Sequence, residues 1–78
     1  MKFKQILITD ESGQQIAKYN NCDLITHEKD DALPIGTVTN GNGQAHLSEI
    51  LLLSMKANYM LFAAILTDGK LVNLKVYQ

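Results

Sequence analysis

His46 and Glu49 stand three positions apart, a spacing at which a helix brings an imidazole and a carboxylate onto one face. Such a pair can share a proton, and Ser48, Ser54 and Cys22 are the nucleophile types that a neighbouring base activates. None of the three stands in an elbow motif or beside a base of its own. The pair therefore reads as solvated, Cys22 as a small buried hydrophobe, and the chain as a non-enzymatic protein. One cysteine and two histidines, His27 and His46, supply neither a disulfide nor a metal tetrad, and no cofactor is expected. A lone cysteine also fits a reducing, cytoplasmic compartment.

Three charged or polar clusters offer binding chemistry instead. Lys2, Lys4 and Lys18, with Phe3 and Tyr19 beside them, would interleave cations and aromatics on one sheet face, as single-strand nucleic-acid binders do. The chain has no arginine and a net charge of −1, so nucleic-acid binding ranks as the alternative function, not the main one. Exposed lysines on an edge strand serve equally to block sheet-to-sheet pairing. Glu28, Asp30 and Asp31, interrupted only by Lys29, form an acidic loop that would present negative charge to a basic partner. That loop lacks the alternating ligands and glycine of a calcium site. Asn40-Gly41-Asn42-Gly43 precedes a helix-forming stretch, where free N–H groups attract anions, but no Gly-Lys-Ser or Gly-Lys-Thr follows. It reads as a turn that frees the backbone before a helix.

These residues must be positioned by few elements. At 78 residues, 46% hydrophobic and 19% charged, the chain is expected to form one domain over residues 1–78 with a small core. Domains of this size gain stability from disulfides, metals or association, and only association is open here. The longest apolar run, Tyr59 to Leu66, is far short of a membrane helix, and Met1 to Ile8 carries no secretory leader pattern. A soluble, cytoplasmic protein is the expectation.

Phe3 to Thr9 is β-branched and apolar and predicts a strand; Asp10-Glu11-Ser12-Gly13 predicts a turn with Gly13 left-handed; Gln14 to Tyr19 returns as a second strand. Two registers suit this hairpin, one setting Ile8 against Ile16 and one setting Leu7 against Ile16. Asn20-Asn21 breaks the pattern, and Asp23–His27 and Ile35–Thr39 are short strand candidates on either side of a loop. Ala45 to Ala57, free of Pro and Gly and rich in Leu, Met, Ala, Lys and Glu, predicts the one helix, stopped at Asn58. Thr67-Asp68-Gly69-Lys70 predicts a two-residue type I′ hairpin with Leu66 opposite Leu71. That register sends Leu61, Ala63, Ile65, Val72, Leu74 and Val76 to the core. The expected architecture is α+β: an antiparallel sheet from the N- and C-terminal hairpins with one central helix, in the order ββ(β)αββ.

In that arrangement the helix is apolar on too many sides, and the last hairpin is apolar on both. Met60, Phe62, Leu66, Leu71 and Tyr77, backed by Leu52, Leu53 and Met55, would form an exposed patch of several hundred Å². Either a second copy covers it as a homodimer, or residues 21–43 fold over it with Leu24, Ile25, Leu33 and Ile35. The expected function is thus a small interaction protein that self-associates through the C-terminal hairpin and helix. A phage or mobile-element origin, with a host protein as partner at the acidic loop, fits the size and charge.

Overall fold

The computed structural model describes residues 2–27 and 35–78. Six strands follow one another: β1 Lys2–Asp10, β2 Gln15–Thr26, β3 Gly36–Asn40, β4 Gly43–Met55, β5 Tyr59–Leu66 and β6 Leu71–Tyr77. Each pairs antiparallel with the next, and β6 pairs with β1, closing a barrel in the order β1-β2-β3-β4-β5-β6. The fold is all-β. This corrects the α+β expectation, because the stretch assigned to the helix is β4.

The reason lies in what each conformation leaves unpaired. Helix propensity is a weak preference that tertiary context overrides. A single helix would bury only part of an all-round apolar segment, whereas β4 completes the hydrogen bonding of β5 and closes the ring. The alternation is present in the chain. Ala45 and Leu47 pack inward, while Gln44 and Ser48 alternate with them, a period of two. Asn40-Gly41-Asn42-Gly43 is accordingly a hairpin turn and not a helix start: Asn40 pairs with Gly43, and the Asn42 N–H donates to Asn40 Oδ1 at 2.8 Å.

Two hairpin loops share one construction. At Asp10–Gln14, the Gly13 N–H donates to Asp10 O at 3.0 Å and the Asp10 N–H donates to Gln14 O at 2.9 Å. At Leu66–Lys70, the Gly69 N–H donates to Leu66 O at 2.8 Å and the Leu66 N–H to Lys70 O at 2.9 Å. Gly13 at φ 85° and Gly69 at φ 92° occupy the left-handed position that ends such a three-residue loop. Asp68 is not left-handed, so the type I′ turn expected from Asp-Gly does not form. Its register is corrected with it: Ile65 pairs with Leu71, Ala64 with Val72 and Phe62 with Leu74.

A slip of one residue sends every side chain to the other face. Val72, Leu74 and Val76 do enter the core, but their β5 companions are Met60, Phe62, Ala64 and Leu66, not Leu61, Ala63 and Ile65. The first hairpin closes with Thr9 opposite Gln15, as the Ile8–Ile16 register requires, and departs from both expected registers only beyond that pair. Ile8 pairs with Ala17, and Ile16 falls in a bulge between the Ile8 and Thr9 pairings.

The interior is filled by Phe3, Ile6, Ile8, Cys22, Val38, Leu47, Ala64, Val72, Leu74 and Val76. Phe3 and Ile6 cannot both point inward along a regular strand. The phase changes at Lys4 and Gln5, opposite Asn20 and Asn21, where Asn21 adopts φ 49°. Asn tolerates that conformation better than other side-chain-bearing residues. Asn20-Asn21 thus breaks the side-chain pattern without ending the strand, and Asp23–Thr26 is the far end of β2.

Candidate functional site

β3 is five residues long, between a 12-residue β2 and a 13-residue β4. It pairs only with Asp23–Thr26 on one side and Gly43–Leu47 on the other. The remainders of both neighbours therefore have a free edge among the described residues. These are Gln15–Asn21 of β2 and Ser48–Met55 of β4. The two edges differ in chemistry.

Beside the β2 edge lies an open cleft of about 650 Å³, walled by Lys18, Tyr19, Asn20 and Asn21 on one side and the Asn40–Gly43 turn on the other. Asn40 Nδ2 donates to Asn20 O at 3.2 Å, and Gln5 Nε2 donates to Asn20 Oδ1 at 2.9 Å. The Asn20 amide is thus engaged with Gln5, and the Asn40 amide with the backbone at Asn20 and Asn42.

The β4 edge is apolar. Leu51 and Met55 are each 64% exposed, Leu53 51% and Leu52 45%, within five consecutive positions. Beside them on the barrel exterior, Leu51 pairs with Ala63, and Glu49 with Ile65, which in turn pairs with Leu71, itself 49% exposed. A shallow depression of about 290 Å³ runs between Leu51, Ala63, Ile65 and Leu71. Two bulges shape β4, one at Ser48, whose Oγ donates to Ile65 O at 3.2 Å, and one at Leu53.

The residues expected at an interface are therefore divided. Leu52, Leu53, Met55 and Leu71 are exposed, while Met60, Phe62 and Leu66 pack against the core. Exposed Leu51 was missed, because a helical reading of Ile50–Leu53 hides which of the four share a strand face. Tyr77 lies on the exterior with its ring centroid 5.7 Å from that of Tyr59. Lys75 Nζ sits 4.4 Å from the Tyr59 centroid and 5.5 Å from that of Tyr77. Its hydrogen bond to Tyr77, and then the charge interaction with Tyr77, raise the ammonium pKa.

Lys2, Lys4 and Lys18 are all exposed, with Lys2 across from Asp23 and Lys18 across from Leu7. Leu7 pairs on its other side with Lys75, so Lys18 and Lys75 flank one apolar residue in a single cross-strand row. Glu28, Asp30 and Asp31 lie outside the described residues.

Comparison with protein-family models, with curated proteins and with solved structures returned no match. His46 Nδ1 lies 3.2 Å from Thr37 Oγ1 across β3–β4, so its hydrogen-bond partner is a threonine and not Glu49. Cys22 is buried, donates to Tyr19 O at 3.5 Å, and has its thiol pKa raised by burial and then by the Asp23 charge. That is the reverse of what activates a nucleophile. Among the described residues no three His, Cys, Asp or Glu side chains gather as metal ligands. No helix among them is long and apolar enough to cross a membrane.

Proposed function

We propose that this protein is a non-enzymatic interaction module that self-associates, as a twofold homodimer, through the exposed edge of β4. One observation carries the reading: Leu51, Leu52, Leu53 and Met55 are all more than two-fifths exposed and contiguous along one strand. Scattered surface leucines need no explanation, whereas a contiguous apolar patch at this density marks an interaction surface. Leu71 and the depression between β4 and β5 extend it on the same side. The small interior of a 78-residue barrel supplies the motive, since association adds the apolar burial that the monomer lacks. Twofold symmetry is the commonest way for one patch to satisfy itself.

Light scattering behind a sizing column, over a tenfold concentration range, tests this directly. The expected result is a mass approaching twice 8.7 kDa at the higher concentrations. Leu51→Lys and Leu53→Lys should each shift the mass to the monomer without altering the far-ultraviolet circular dichroism. A constant monomer mass over the range refutes the reading.

A second reading is supported by the Lys18–Leu7–Lys75 row. With Tyr59 and Tyr77 beside Lys75, cations and aromatics share a surface opposite in character to the β4 patch. Single-stranded nucleic acid is the ligand such a surface would take, by phosphate contact and base stacking. Oligonucleotide binding at low salt that falls steeply as salt is raised, and is abolished by Lys18→Glu with Lys75→Glu, supports it. Absence of binding at low salt removes it.

A further inference from the structure

We infer that the association is an edge-to-edge pairing, in which β4 of one copy lies antiparallel beside β4 of a second and the two barrels share one continuous sheet. This rests on the self-association reading and specifies its geometry. The β4 backbone from Ser48 to Met55 is hydrogen-bonded to β5 on one side and to no described residue on the other. A strand edge of this kind is a template for another strand.

Natural edges are protected by lysine, proline or an inward charge, and none of these stands between Glu49 and Lys56. Ile50-Leu51-Leu52-Leu53-Ser54-Met55 is uncharged throughout. Among the described residues, the protective device between Glu49 and Lys56 is the bulge at Leu53. A bulge adds twist, which a flat foreign strand does not match. A second copy carries the same bulge, and about a twofold axis the two distortions are complementary. The bulge therefore selects this chain as its own partner.

Charge specifies the direction. Glu49 and Lys56 bracket the apolar segment at equal distances from the point between Leu52 and Leu53. Antiparallel pairing about that point sets Glu49 of each copy beside Lys56 of the other, twice. Parallel pairing would set like charges together.

A charge-swap series tests the geometry separately from association itself. Glu49→Lys should weaken the dimer about tenfold, as should Lys56→Glu, and the double swap should restore affinity to within about twofold, since two symmetry-related pairs change together. In a dimer made from equal parts labelled and unlabelled protein, filtered nuclear Overhauser spectra should show contacts between Hα protons of the two β4 strands. Amides on the free β4 edge should become protected only as concentration rises. A dimer without rescue and without β4–β4 contacts overturns the edge pairing and leaves self-association standing. Protection that is independent of concentration also overturns it, because the edge is then covered within one chain. A monomer at every concentration overturns both.

Discussion

Phe3 stands directly opposite Cys22 across the β1–β2 ladder, and both side chains are buried although each is out of phase with the inward residues that follow or precede it. Ile6 and Ile8 on one strand, and Ala17 and Tyr19 on the other, belong to the opposite parity. The left-handed Asn21 reconciles the two. It lets the hairpin coil enough to curve around the barrel while keeping one continuous strand.

Position 21 should therefore discriminate sharply among substitutions. Asn21→Val forces a β-branched side chain into a left-handed conformation and should destabilise the fold by about 1–3 kcal/mol. Asn21→Gly should stay within about 0.5 kcal/mol of the parent, because relief of strain offsets the added freedom of the unfolded chain. Urea titrations of the two variants, compared with the parent, decide this; equal loss in both would mean the conformation at 21 is unimportant.

The register of the last hairpin has a similarly direct test. Leu74 is fully buried, and truncation to Ala should destabilise by about 2–5 kcal/mol. Phe62 opposite it should also be costly to truncate, whereas Ala63→Ser on the outer face should be within about 0.5 kcal/mol. The comparison belongs at low protein concentration, where association does not contribute. An expensive Ala63 change beside a cheap Phe62 change would restore the two-residue turn.

Asp10 links stability to acid. Its carboxylate accepts from the Ser12 hydroxyl at 2.6 Å and from the Gln14 and Ser12 amides, with Lys70 nearby, and is held below its ordinary pKa of 3.8. A depressed pKa means stabilisation that is complete above the unfolded value and lost as pH falls through the folded one. Thermal melts of the parent and Asp10→Asn should differ at pH 6 and converge below the ordinary carboxylate range. A gap that persists unchanged to the lowest pH would show that the carboxylate charge is not what matters.

Cys22 should behave as core. A thiol reagent should modify it slowly in buffer, with a rate that climbs through the same urea range as global unfolding. Rapid modification of the native protein would mean that the β1–β2 corner opens locally.

Much of the chain's organisation is written locally. Asp10–Gly13 is a complete turn signal, with an Asp to cap it and a Gly where left-handed backbone is needed, and the strand before it is β-branched and apolar. Thr67–Gly69 contains the same parts, but Asp-Gly fits two turn types that differ by one residue in register. Neither flank arbitrates, because Leu61 to Leu66 is apolar at every position and presents a plausible core face either way. The β4 segment failed for a related reason. Ile50–Leu53 has no period, so composition spoke for a helix while the alternation at Gln44–Ser48 spoke for a strand. Only the requirement to complete the β5 hydrogen bonds resolves it, and that is a property of the closed ring. The same ambiguity divided the interface residues: Leu52, Leu53, Met55 and Leu71 are exposed, while Met60, Phe62 and Leu66 moved inward with the slip.

The shortness of β3 reaches beyond the two edges it leaves free. A ring fails at its narrowest seam, and among the described residues that is the β2–β3 ladder, four pairs long in the middle of the chain. Parting β3 from β2 would leave β3, β4, β5, β6, β1 and β2 still zipped to one another as an open ribbon, with Leu24 and Val38 the first core side chains to meet water. The molecule is thus built to unravel from its centre outward, its two ends held together to the last by the β1–β6 ladder.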